Sequence, residues 1–264
     1  MDWFRARLKG ALGETLVRGT DFLLPPSCFS CGSPTSHQGD LCAGCWGDLQ
    51  FITAPFCASC GLPFEFDVAH IDAQAHCGAC IAVPPSFNRA RSPLLYDDAS
   101  KKLIIGLKHA DQLEGVPAFA RMMWRTLGRE NGATDHYDLV SGVDLIIPVP
   151  LHPTRLWRRR YNQSALLARG LAQLISVPLD VTGLVRVRRT PSQGHMDRTQ
   201  RLKNVKGAFR VTSTLAKNLE GKSVMLIDDV MTSGATVGEC ARVLRKSGAE
   251  KINVLTLARV ARSA

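Results

Sequence analysis

Val224-Met225-Leu226-Ile227-Asp228-Asp229-Val230-Met231-Thr232-Ser233-Gly234-Ala235-Thr236 is the stretch on which the reading of this chain turns. Four apolar residues run into two carboxylates, then an apolar pair, then a hydroxyl-rich bend around one glycine. The apolar run is strand-like, and Thr236 to Leu244 continues with helical spacing. A strand, a short Thr/Ser/Gly turn and a helix make backbone N–H groups converge where an anion can sit.

Asp228 and Asp229, at the strand end, can accept hydrogen bonds from two vicinal hydroxyls beside that anion. A ribose 5-phosphate carries both features. Each part of the string is common alone, and an ordinary buried strand ending in an acidic turn would show some of them. The full string in this order resembles the phosphoribosyl-pyrophosphate (PRPP) signature of type I phosphoribosyltransferases.

Outward from that string, strand-like and helical segments alternate. Pro93 to Tyr96 reads as a strand, 98–108 and 115–130 as helices, and Val143–Pro150 as a buried strand closing at prolines. Arg160 to Ile175 reads as a helix, followed by strands at 223–228 and 251–258 around a helix at 236–248. This order implies an α/β fold with a mostly parallel sheet flanked by helices, its ligand site at strand carboxyl ends. Residues 190–204 read as a polar loop carrying cations and amides.

Eight of the nine cysteines form Cys-x-x-Cys pairs: Cys28/Cys31, Cys42/Cys45, Cys57/Cys60 and Cys77/Cys80. Four such pairs read as zinc ligands rather than disulfides or a redox motif. Two closed, structural zinc sites follow. Sequential pairing gives Cys28, Cys31, Cys42 and Cys45 for one, and Cys57, Cys60, Cys77 and Cys80 for the other. A cross-braced pairing is the alternative, and the short intervals between pairs favour the sequential one. Cys240 reads as a small core residue.

The net charge of +10 is unevenly spread: residues 151–211 hold 13 Lys/Arg and two acids, whereas residues 28–87 hold five acids and no Lys or Arg. The cysteine-rich module is therefore a poor direct partner for DNA. The basic block suits a polyanion, either pyrophosphate or nucleic acid, unless it is only a solvated face. No stretch approaches the ~20 apolar residues of a membrane span and no secretory signal is evident, so a cytoplasmic protein is expected. Residues 1–24 read as an amphipathic helix, 25–87 as the double zinc ribbon and 88–264 as the phosphoribosyltransferase-like domain.

The combined pattern resembles the ComF family (ComF/GntX). The resemblance rests on the paired Cys knuckles, Leu107-Lys108, Pro148-Val149-Pro150, Arg159 with Asn162-Gln163, Gln193, Arg198 or Arg201 with Asn204, Gly207-Ala208-Phe209, and the PRPP string. Where that family usually has Arg-Gly-Phe-Asn-Gln, this chain has Arg159-Arg160-Tyr161-Asn162-Gln163.

The resemblance implies a PRPP or ribose 5-phosphate pocket in a competence-associated protein, with single-stranded DNA and other competence proteins as partners. Asp228 and Asp229 would take the ribose hydroxyls, and Thr232, Ser233, Gly234, Ala235 and Thr236 the 5-phosphate. Mg²⁺ would ride on the pyrophosphate and ribose oxygens. Pro150 and His152 would face the pyrophosphate with Arg159 or Lys108 nearby, and Arg198 or Arg201 would close over the leaving group. Arg155, Arg158, Arg159 and Arg160 would track a DNA strand, with Trp157, Tyr161 and Phe209 offering stacking surfaces. The same pocket would serve either an active phosphoribosyltransferase of unidentified acceptor or a DNA-handling protein. A regulatory or scaffolding role is the third class.

Overall fold

The computed structural model describes residues 25–64, 74–108, 113–127, 139–191 and 196–261. The expected helix over 1–24, and Gln193, lie outside these. Its centre is a parallel sheet in the order β1–β7–β6–β3, from β1 (Arg89–Arg91), β7 (Lys251–Arg259), β6 (Ser223–Met231) and β3 (Leu145–Pro148), with β2 (Leu94–Leu95) also pairing to β7. The register sets Asp228 opposite Thr256 and Met231 opposite Arg259.

Period-2 alternation divides the central strands between two cores. Met225, Ile227, Leu255 and Leu257 pack on one face with Leu103, Phe119 and Leu167. These come from α3 (Asp98–Lys108), α4 (Val116–Arg125) and α6 (Gln163–Ile175). Val224, Leu226, Ile252 and Val254 pack on the other face with Val237, Cys240 and Leu244 of α9 (Ala235–Lys246). Cys240 is thus the small core residue expected. An antiparallel hairpin of β4 (Leu184–Arg186) and β5 (Phe209–Val211) covers the same face, and the sequence reading did not include it.

Two boundaries differ from expectation. The helix read from Arg160 to Ile175 begins at Gln163, as α6 (Gln163–Ile175), and a helix that the sequence reading did not include, α5 (Pro153–Arg159), precedes it. Arg160 adopts the left-handed conformation at φ 68° and ends α5, and Asn162 caps α6 by accepting from Ser164 N at 3.1 Å. The polar loop of 190–204 ends in a helix, α7 (Arg198–Val205). Asp197 and Gln200 there form a reciprocal capping box, in which Asp197 accepts from Gln200 N at 2.8 Å and its own N–H donates to the Gln200 side chain at 3.0 Å. A short helix, α8 (Ser213–Ala216), follows the hairpin.

Each Cys-x-x-Cys group folds as a tight knuckle, and short helices α1 (Ala43–Gly47) and α2 (Gly78–Ala82) begin beside Cys42 and Cys77. The second ribbon is built against the sheet edge, where Ala90 N of β1 donates to Ser59 O at 2.7 Å. That approach requires a glycine at 61. Its φ is +64°, and a Cβ there would lie 2.6 Å from Ala90 O. No helix among the described residues is long and apolar enough to cross a membrane.

Candidate phosphosugar site and paired metal centres

Asp228 and Asp229 sit where β6 passes the amino-terminal end of α6, and their environments differ. Asp228 is partly buried, accepts from Ser164 Oγ at 2.9 Å and accepts from Asp229 N at 3.0 Å. Asp229 is 7 % exposed, and its Oδ2 lies 2.7 Å from Lys108 Nζ at the end of α3. Gln163 Nε2 lies 3.5 Å from the same oxygen. Burial first, then the charge of Asp229, push Asp228 up to about 8. Burial opposes ionisation of Asp229 as well, but the Lys108 ammonium outweighs it and holds that carboxyl below the usual range. At neutral pH the pair therefore carries one firmly ionised acid and one that readily keeps a proton.

Beyond the acids, Thr232, Ser233, Gly234 and Thr236 remain partly open to solvent, with Ala235 buried at the start of α9. Gly234 takes φ +77°, which turns the chain from strand to helix. Gly234 brings no side chain to the cap position of this twelve-residue helix, and Ser233 Oγ accepts from Ala235 N at 3.4 Å. The first N–H groups of the helix thus point at the bend, with the positive end of the helix dipole behind them. Carboxylates, bend and helix start are contiguous in space as in sequence.

The other expected residues divide. Lys108 pairs with Asp229 rather than standing apart for a pyrophosphate. Pro150 is buried behind the turn, and His152 caps α5 by accepting at Nδ1 from Thr154 N at 3.3 Å. Arg159 donates to Gln163 Oε1 at 3.2 Å and so borders the acid pair through that glutamine. Arg198 reaches towards the second ribbon, its Nη2 3.5 Å from Ala79 O. Arg201 lies in the first turn of α7, partly buried. Ser164 went unread because a serine inside an apolar helical pattern looks like filler.

The four arginines of the basic run also separate. Arg155 donates to Thr190 O at 2.8 Å, and burial and then Arg159 push its pKa down. Arg158 and Arg160 are exposed beside Trp157, whose side chain is 86 % exposed. Phe209, expected as a stacking surface, is instead buried in the core under Arg186. Tyr161, expected likewise, donates from its hydroxyl to Leu107 O at 2.5 Å. It ties the start of α6 to the helix that carries Lys108.

The eight paired cysteines assemble as two groups of four, Cys28, Cys31, Cys42 and Cys45, and Cys57, Cys60, Cys77 and Cys80, with the sulfurs of each within 4.8 Å of one another. That is the sequential pairing. A tetrahedral zinc with Zn–S near 2.3 Å requires sulfurs about 3.8 Å apart. Cys31 and Cys42 lie at 3.6 Å and Cys60 and Cys77 at 3.7 Å. Four thiolates at zinc spacing leave no open position, so both are structural zinc sites.

Family models agree with both halves: a double zinc ribbon domain matches residues 19–81 and a phosphoribosyl transferase domain matches residues 162–264. The chain is 33% identical over 238 residues to the "DNA utilization protein YhgH" of Salmonella typhimurium, covering 89% of this chain and 98% of that protein. The chain belongs to the ComF family. The "Competence protein F" of Haemophilus influenzae is 32% identical over 234 residues, covering 88% of this chain and 96% of that protein. Among solved structures, the Bacillus subtilis glutamine PRPP amidotransferase in complex with ADP and GMP overlaps 58% of this ComF chain and 30% of its own. It does so at 19% identity and a TM-score of 0.35. Where ComF sequences usually place a glycine, Arg160 keeps the left-handed backbone a glycine would favour.

Proposed function

We propose that the chain binds PRPP or ribose 5-phosphate at the Asp228–Thr236 segment and handles single-stranded DNA through the Trp157 face, as a cytoplasmic member of the DNA-uptake machinery. The observation that carries the phosphosugar half is the acid pair next to a helix start whose cap residue is a left-handed glycine. In this reading the 5-phosphate takes the N–H and hydroxyl groups of Thr232 to Thr236, and the ribose hydroxyls donate to the carboxylates. Mg²⁺ accompanies the pyrophosphate. Reduced thiols at two zinc sites suit the cytoplasm, and the relatives' printed names point to DNA and competence.

The DNA half rests on an exposed indole and an exposed guanidinium, Trp157 and Arg158, on one short helix, with a second exposed guanidinium on Arg160, the residue that ends it. Such a surface offers a face for stacking a base and charge for the strand beside it.

The second reading is an active phosphoribosyltransferase, favoured by the intact acid pair and by Lys108 and Arg159 close to it. The chemistry would be displacement at the sugar C1, with charge stabilisation rather than acid–base work supplied by the protein. A parallel screen of the purified protein against PRPP with Mg²⁺, ribose 5-phosphate and a single-stranded oligonucleotide tests these readings. Binding of both phosphosugar and DNA is expected, with DNA affinity falling steeply with salt and the Trp157→Ala variant losing about 1–3 kcal/mol of it. Absence of any phosphosugar binding would remove both readings of the pocket. DNA binding untouched by Trp157→Ala and Arg158→Ala would remove the DNA surface.

A further inference from the structure

Arg259 ends β7 and is 6 % exposed. The sequence gives no hint of its role, since a lone arginine closing a buried strand reads as an anchor to solvent. Its guanidinium faces inward. Nη1 donates to Thr232 O at 2.9 Å and lies 3.5 Å from Met231 O, while Nη2 donates to Cys60 Sγ at 3.3 Å. One rigid planar fork therefore grips the first residue of the phosphate bend and a ligand of the second metal centre together.

We infer that Arg259 is a positioning residue that couples the second four-cysteine centre to the phosphate bend, so that phosphosugar affinity depends on the second metal and not on the first. The inference rests on the reading of residues 232–236 as the phosphate cradle, and it names what regulates that cradle. A bound zinc fixes the Cys60 sulfur, the sulfur fixes the guanidinium, and the guanidinium fixes the Thr232 carbonyl from which the following N–H groups take their aim. A zinc ion with four thiolates carries a formal charge of −2, which a buried guanidinium offsets directly. Partners that hold a metal ligand in place in this way act on affinity without touching the metal.

Further contacts run along the same seam. Arg198 Nη2 lies 3.5 Å from Ala79 O, and a Cβ placed on Gly234 would lie 3.9 Å from Phe87. A cavity of about 250 Å³ is shared by Cys77 and Cys80 on one side and by Thr232, Ser233 and Gly234 on the other. The first centre has different neighbours. Phe29, between two of its ligands, packs edge-on against Phe119 at 5.3 Å, and Asp40 pairs with Arg121 at 2.7 Å.

The test uses the full chain in four forms: wild type, Arg259→Lys, Cys77→Ser and Cys31→Ser. Zinc content, amide hydrogen exchange over residues 224–236 and PRPP affinity are measured on each. Cys77→Ser removes the second metal while keeping Cys60, and Arg259→Lys keeps the charge but replaces the planar fork with a point donor.

Arg259→Lys is expected to retain two zinc ions, exchange about tenfold faster at 232–236 only, and bind PRPP about tenfold more weakly. Cys77→Ser should do the same with one zinc ion, and Cys31→Ser should lose one zinc ion and change neither readout. Unchanged exchange at 232–236 in Arg259→Lys, or equal effects of Cys31→Ser and Cys77→Ser, would overturn the coupling. Exchange decides the coupling even if wild type binds no PRPP, an outcome that would instead remove the phosphate reading. Should Cys77→Ser not fold, Arg259→Lys carries the test.

Discussion

The two four-cysteine centres have the same ligands and the same knuckles, yet they belong to different parts of the molecule. The first sits over the face of the sheet that carries α3, α4 and α6, reaching that core through Phe29 and Leu49 while Cys31 stays exposed. The second lies on the opposite face, where Cys57 is fully buried and Cys60 nearly so, and both share a core with Leu226, Val254 and α9. Identical metal chemistry thus serves as a surface clasp in one place and as part of the core beside the Asp228–Thr236 segment in the other. What a structural metal does is set by what its ligands pack against.

The largest expected effect breaks or confirms that contrast. Cys57→Ser removes a ligand from inside the shared core, so it should cost on the order of 5 kcal/mol or more and lower the cooperative melting transition of the whole protein. Cys31→Ser should leave the main transition in place and release one zinc ion. Calorimetric melts with metal analysis decide it, and equal destabilisation by the two would mean that the centres are equivalent.

The glycines that follow Cys31 and Cys60 sharpen the comparison at the level of backbone. Both have positive φ, but a Cβ on Gly32 meets nothing within 4 Å, whereas one on Gly61 would meet Ala90 O at 2.6 Å. Gly32→Ala should cost about 1–2 kcal/mol for the left-handed conformation alone. Gly61→Ala adds a clash with a strand and should cost about 2–4 kcal/mol in all. Denaturant melts of the pair would show equal costs if the second ribbon were not held against β1.

A smaller effect comes from pH. Asp228 is raised in the folded state, so its contribution stabilises fully below the unfolded carboxylate range near pH 4 and is lost as pH climbs towards about 8. Asp229, held low, contributes in the opposite sense: its share is present above pH 4 and is lost as pH falls. Asp228→Asn keeps the neutral form at every pH, so its melting temperature relative to wild type should be higher at pH 8.5 than at pH 5. The same shift is expected with the first centre disabled by Cys31→Ser, an exposed residue bonded to Ser33 and Cys42. A pH-independent difference would contradict the raised Asp228.

What was legible in the sequence was whatever lay in one short stretch. Strand, acids, bend and helix are contiguous from 224 to 244, so that strand–bend–helix unit could be read directly, and each metal knuckle is a local Cys-x-x-Cys turn. Groups recruited across the fold were silent. Ser164 reaches Asp228 over 64 residues of chain, and Arg259 reaches Cys60 over 199. Charge counting also misled. Thirteen cations in 61 residues looked like one surface, yet Arg155 is bound to Thr190 O, Arg186 is buried above Phe209, and Arg159 serves Gln163. Only packing reveals which guanidinium groups remain for a partner.

The central claim, that the acid pair and the bend receive a phosphorylated pentose, is tested most directly by calorimetry of PRPP with Mg²⁺ at pH 7 in buffers of different ionisation enthalpy. Wild type is predicted to bind and to release a proton as Asp228 ionises to accept a ribose hydroxyl, and Asp228→Asn with Asp229→Asn to show no heat while keeping two zinc ions and a cooperative melt. Absence of binding by wild type, or unchanged binding by the double variant, would contradict it.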